Sequence, residues 1–170
     1  MTTQNGKPLP PDLQVMADSF VATARKNLEE SGRLAPIVLL GRGNEMIPVL
    51  VEPLGDKDEA ARHIRSVAAA LDPDFAFTII EAWILGPRHA KDYDAIIHRY
   101  GSIAASPYGI DSVHFTFETR NGTWAATAEQ KPLGLSKKKK TFGEVKFEMF
   151  DGLAGRFTGF LSKPAGSASH

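Results

Sequence analysis

The sequence predicts an α+β fold: a mainly antiparallel sheet of about seven strands, with two packed helices and one short excursion helix. Three observations carry that expectation. The run Asp74-Phe-Ala-Phe-Thr-Ile-Ile-Glu-Ala-Trp-Ile-Leu-Gly86 is too rich in β-branched and aromatic residues, and too continuously apolar, for a strand with a solvated face. Residues 11–32 and 56–72 repeat apolar side chains at three- and four-residue steps, the period of an amphipathic helix. Beyond residue 110, apolar and polar residues alternate around Asn121-Gly122, a strong hairpin signal.

The apolar run reads as the central strand. It places Phe75, Phe77, Ile79, Glu81, Trp83 and Leu85 on one face and Ala76, Thr78, Ile80, Ala82 and Ile84 on the other, so both faces need cover. Glu81 is the residue that does not fit, because a carboxylate among aromatics needs a partner or a path to water. Ahead of this strand, residues 1–10 are polar and proline-bearing and are expected to form a flexible lead-in. The first helix opens at Pro11, carries Leu13, Met16, Ala17, Phe20, Val21, Ala24 and Leu28 as its apolar stripe, and stops at Gly32. Pro36-Ile-Val-Leu-Leu-Gly41 and Met46-Ile-Pro-Val-Leu-Val51 flank Arg42-Gly-Asn-Glu45 as a hairpin. Pro48 has no N–H to donate, so its strand belongs at a sheet edge. Asp56 and Glu59 form a capping box for the second helix, and Asp72-Pro73 ends it. Both helices are expected on one face of the sheet.

From Gly86 to Asp111 the chain makes a polar excursion, with a short helix over Ala95 to Tyr100 capped by Asp92 or Asp94. The Asn121-Gly122 turn then fixes a register that pairs Arg120 with Thr123, Thr116 with Thr127 and His114 with Glu129. Val145, Phe147 and Met149, alternating with Glu144, Lys146 and Glu148, predict a further strand, and a last one follows near Arg156 to Leu161. Residues 163–170 read as a flexible tail, leaving residues 11–162 as a single domain.

Composition narrows the partners. The chain has 170 residues and balances 20 basic against 20 acidic side chains, so no global field draws it to nucleic acid or to an anionic membrane. Zero cysteines exclude a disulfide, a thiolate nucleophile and a thiolate metal site. Without a signal-like apolar core at the N-terminus, and without about 18 consecutive apolar residues, the expectation is a soluble cytoplasmic protein with no membrane partner.

No phosphate-binding glycine loop, nucleophile elbow or metalloprotease helix motif is present, and three constellations remain. Glu81 beside Trp83 is the one candidate acid or base; pairing with a cation such as Arg88 would make it structural. His89, Asp92, Asp94 and His98 are oxygen and nitrogen ligands close in sequence, yet only Asp94 and His98 share a helical face, so no metal is expected. Lys137, Lys138, Lys139 and Lys140, between Lys131 and Lys146, form the one charge cluster. It lacks the interleaved aromatics of a base-stacking surface and suits a solvated hairpin loop.

Residues 12–86, in which a capped helix leads into the strand carrying Glu81-Ala82-Trp83, resemble uncharacterised small bacterial and phage-type proteins with a helix-hairpin-helix-strand layout. That resemblance implies no activity. The leading expectation is a non-enzymatic binding or interaction protein with another protein as its partner and no cofactor, because catalysis needs converging polar groups and the sequence offers one lone acid. The alternative is a small hydrolase or small-ligand-binding protein whose pocket uses Glu81, Trp83, Arg88, Tyr93 and His98. The third reading is nucleic-acid binding through Lys137 to Lys140.

Overall fold

The apolar run does form a central strand of the sheet, buried over its first half. A computed structural model describes residues 3–4, 7–52, 56–135, 138–151 and 158–161. Its elements are β1 Thr3–Gln4, α1 Pro11–Ser31, β2 Ile37–Arg42, β3 Glu45–Leu50, α2 Lys57–Leu71, β4 Phe75–Leu85, α3 Tyr93–Tyr100, β5 Gly109–Thr119, β6 Gly122–Pro132, β7 Lys140–Phe142 and β8 Glu148–Asp151. The strands follow the order β1-β8-β6-β5-β4-β2-β3, all antiparallel, in a sheet curled into a half-barrel; β7 adds to β6 off this path. This is the α+β class expected. β3, with Pro48, ends the sheet and pairs only with β2 among the described residues, where a missing N–H costs least. No described helix is long and apolar enough to cross a membrane.

Local chemistry explains the helix boundaries. Pro11 stands in the first turn of α1, and Gly32 ends the helix in the left-handed conformation at φ 80°, its N–H donating to Leu28 O at 2.8 Å. A Cβ on Gly32 would also lie 2.6 Å from the Lys138 carbonyl, so shape and conformation both require glycine. Asp56 caps α2 by accepting from the Glu59 N–H at 2.8 Å. The excursion forms a 3-10 turn over Ala90–Asp92 and then α3, and neither Asp92 nor Asp94 caps it through a side-chain bond.

The two main helices lie on opposite faces of the sheet, which corrects the expectation that they share one. α1 packs Ala17, Val21, Ala24 and Leu28 on Phe77, Ile79, Phe115 and Phe117. On the other face, α2 packs Ala60, Ala61, Ile64 and Ala68 on Val38, Leu40 and Ala76. The connections decide this: α1 reaches β2 from one side of the sheet, whereas α2 links β3 back to β4 across the other. Neither helix's own stripe encodes which side it takes.

Three strand expectations also change. The register between β5 and β6 is shifted by two residues, so that Thr119 faces Gly122, Thr116 faces Ala125, and His114 faces Thr127 instead of Glu129. The turn is Arg120-Asn121, closed by Thr119, whose hydroxyl donates to Gly122 O and accepts from Asn121 N–H, each at 3.2 Å. Gly122 is then a strand residue, where a Cβ would collide with the Met149 methyl group. Of the strand expected over Glu144 to Met149 only Glu148 and Met149 join a ladder, as the start of β8, and the short β7 precedes it. Arg25 takes the carbonyls of Phe142 (3.3 Å) and Gly143 (2.8 Å), and the chain from 143 to 147 crosses as irregular cover with Phe147 buried. Residues 158–161 are not a strand, and the rest of the strand expected near Arg156 lies outside the described residues.

Candidate functional site

The placement of α2 leaves part of the α1-side sheet face uncovered. On one flank α1 is closed by β7 and the crossing segment, through Arg25 and the buried Phe142 and Phe147. On its other flank Leu39 of β2 is still buried in the α1 core, but nothing described lies over β3, and the space is a groove of about 600 Å³ between α1 and that hairpin. Its floor is apolar, made by Ile37, Leu39, Met46, Leu50 and Ile79, with Phe20 at the helix side. The β2–β3 register, Ile37 against Leu50 and Gly41 against Met46, puts these residues on one face. Its wall is polar: Ser19, Thr23, Asn27 and Ser31 follow one another at four-residue steps along α1 and all line the groove. Thr23 donates back to Ser19 O at 3.1 Å and Ser31 to Asn27 O at 2.7 Å, so the hydroxyls hug the helix and keep that flank low. The one charged residue among the described lining, Arg33, is paired with Glu52. Met46 is 47% and Leu50 50% exposed, large values for apolar side chains facing a groove.

The described lining of this groove holds one cation, engaged by Glu52. It offers apolar area along its floor and hydrogen-bonding hydroxyls along one side. Sequence reasoning overlooked it. The available signals were the small polar residues at 19, 23, 27 and 31 beside the apolar stripe, and an edge strand whose residues are apolar on both faces.

The residues singled out from sequence are brought together only in part. Glu81, Trp83 and Tyr93 line a second, more open groove of about 680 Å³, whereas Arg88 and His98 are exposed outside its lining. Glu81 is not paired with Arg88. Its carboxylate accepts the backbone N–H of buried Leu34 and so ties the chain leaving α1 to β4, beside the end of the first groove. Glu81→Ala should leave that N–H without its acceptor and cost about 1–2 kcal/mol in urea unfolding, with Glu81→Gln costing less because an amide oxygen remains. Equal stability of wild type and Glu81→Ala would remove this tether from the description.

His89 stacks on Tyr108 at 4.5 Å and lies 3.8 Å from Asp92, and no cluster of three potential ligands forms among the described residues. Lys140 reaches Asp111 at 2.9 Å, Lys138 and Lys139 are exposed, and Lys137 lies outside the described residues. His114 is bonded to Thr127 at 2.9 Å, and burial pushes its imidazole below the ordinary value of 6.5. The folded state therefore binds that proton less readily than the unfolded chain. The contribution is constant above about pH 6.5, and stability falls as the pH drops from there toward the folded-state value. Between pH 7.5 and 5.5, His114→Gln should lose less stability than wild type, and equal losses would contradict the assignment. Comparison of the chain with family models, with curated proteins and with solved structures finds no match.

Proposed function

We propose that this protein is a non-enzymatic interaction module that receives an amphipathic helix of a partner protein in the groove between α1 and the β2–β3 hairpin. The observation that carries the reading is the missing cover on the sheet. Met46 and Leu50 of β3 are about half exposed, and a helix with side chains, about 10 Å wide, would cover them by lying beside α1 along the hairpin. From Ser19 to Ser31 the groove wall is about 18 Å long at 1.5 Å per residue, or some three helical turns of contact. Small side chains on the facing flank of α1 let a second helix backbone approach closely. The neutral lining, with Arg33 already engaged, suits an apolar stripe rather than a charged one. A compact apolar molecule would cover the floor but leave the long open side along β3 bare.

The cysteine-free composition supports a reducing, cytoplasmic setting for this activity. The Glu81-Ala82-Trp83 layout supports a place among small proteins of bacteria and their phages. The test is titration with an acetylated, amidated and stapled helix of about 16 residues, leucines on one stripe, alanines on the adjoining flank and glutamate or lysine elsewhere. Binding should show a Kd below about 100 µM and weaken at least about tenfold in Leu50→Glu and in Met46→Glu, both exposed enough to fold normally. Undiminished affinity in both variants would place the helix elsewhere and overturn the proposal.

A further inference from the structure

We propose that a second site, the open edge of β4, accepts an extended peptide of a partner protein as an additional antiparallel strand. β2 pairs with β4 only from Gly41 opposite Phe75 to Ile37 opposite Ile79, whereas β5 continues along β4 to Gly109 opposite Leu85. Along residues 80–85 no strand lies on the β2 side among the described residues. The cause is in the sequence. Pro36 turns its carbonyl toward the β3 side, where it accepts from Val51 N at 3.0 Å, and the N–H of Leu34 is taken by the Glu81 side chain. The chain therefore leaves β4 there, and every second residue from 80 to 85 directs its N–H and C=O toward the vacated side.

Ile80-Glu-Ala-Trp-Ile-Leu85 has no proline, lysine or glycine, and its one charge, Glu81, is engaged by the Leu34 N–H. The second groove runs along it. Ile80, Glu81, Ala82 and Trp83 all line that groove, and consecutive strand residues point to opposite faces, so a depression lined by all four follows the strand edge. Tyr93 and Ile97 of α3 stand on its far wall, with Trp83 47% and Tyr93 49% exposed as aromatic contacts.

Charge selects the occupant. Glu81 lies on the α1 face, and Lys57, at the start of α2, lies on the opposite face beside Ile80 and has no ion pair among the described residues. An incoming strand alternates faces as β4 does. It would thus carry a basic side chain opposite Glu81 followed directly by an acidic one opposite Ile80, near Lys57, with β-branched residues before them.

The probe is acetylated, amidated Val-Thr-Val-Thr-Lys-Glu, titrated into the whole chain and followed by backbone amide NMR. The expected result is saturable shifts centred on residues 80–85 below about 1 mM. Of two versions N-methylated at odd or at even positions, one should lose binding and the other keep it, because only one edge of the added strand meets β4. Lys57→Glu should weaken the peptide about two- to fivefold, and the peptide ending in lysine should recover the loss on that variant. Absent shifts, indifference to both methylation patterns, or failure of the charge swap to recover binding would each overturn the proposal. Shifts confined to the α1 groove would do the same while leaving the helix-binding reading intact.

Discussion

Phe77→Ala should cost about 3–5 kcal/mol and is expected to be the most destabilising single substitution in the chain. Phe77 is fully buried near the start of β4, under α1. Its ring lies 4.9 Å from Phe20, 5.2 Å edge-on from Phe117, 6.2 Å from Phe115 and 6.0 Å from Phe147. It therefore joins the helix, two central strands and the crossing segment at one point. Truncation removes the transfer energy of the ring and leaves a cavity that four other aromatic rings cannot all collapse into. Urea unfolding of Phe77→Ala and Phe77→Leu should show a large and a moderate loss respectively. A loss under about 1 kcal/mol for the alanine variant would mean the aromatic cluster is not the centre of the core.

Glu118→Ala should cost about 2–4 kcal/mol, although a glutamate in an alternating strand reads from sequence as solvated. Glu118 is 7% exposed, and its two carboxylate oxygens accept from Gly159 N at 2.7 Å and Leu161 N at 2.8 Å. Those bonds hold buried Phe160 over the α2-side core. Without the carboxylate two N–H groups lose their acceptors, and the segment 158–161 loses its anchor on the sheet. Hydrogen exchange at Gly159 and Leu161 should accelerate in Glu118→Ala more than exchange in β5 itself. Unchanged protection at both amides would show that Phe160 alone holds the segment.

Features set by neighbouring residues were legible in the sequence. The stripe of α1, its stop at Gly32, the Asp56 cap and the doubly covered β4 depend on local periodicity and on single side chains, and each appears where expected. Features set by distant contacts were not. The turn moved to Arg120-Asn121 because the Thr119 hydroxyl closes it and the Met149 methyl occupies the space a side chain at 122 would need. Glu118 became internal only because residues 158–161 fold over it.

The same distinction governs the sites. Glu81 was legible as an anomaly, while its partner, the Leu34 N–H, lies 47 residues away along the chain. The α1 groove follows from the side of the sheet α2 takes: beside α1, that helix would have covered β2 and β3 and no groove would exist. A vacancy made by topology leaves only faint marks in sequence, here the small polar residues at 19, 23, 27 and 31.

The chain's lack of cysteine allows a direct test of the helix-binding groove with an environment-sensitive thiol probe on one introduced cysteine. Asn27→Cys places the probe on the groove wall and Ala22→Cys places it on the exposed side of the same helix away from the groove. On addition of the stapled amphipathic helix, the emission at position 27 should shift to the blue and saturate with the Kd of binding, while position 22 stays unchanged. A response at position 22 alone, or at neither position under saturating helix, would contradict a helix seated between α1 and the β2–β3 hairpin.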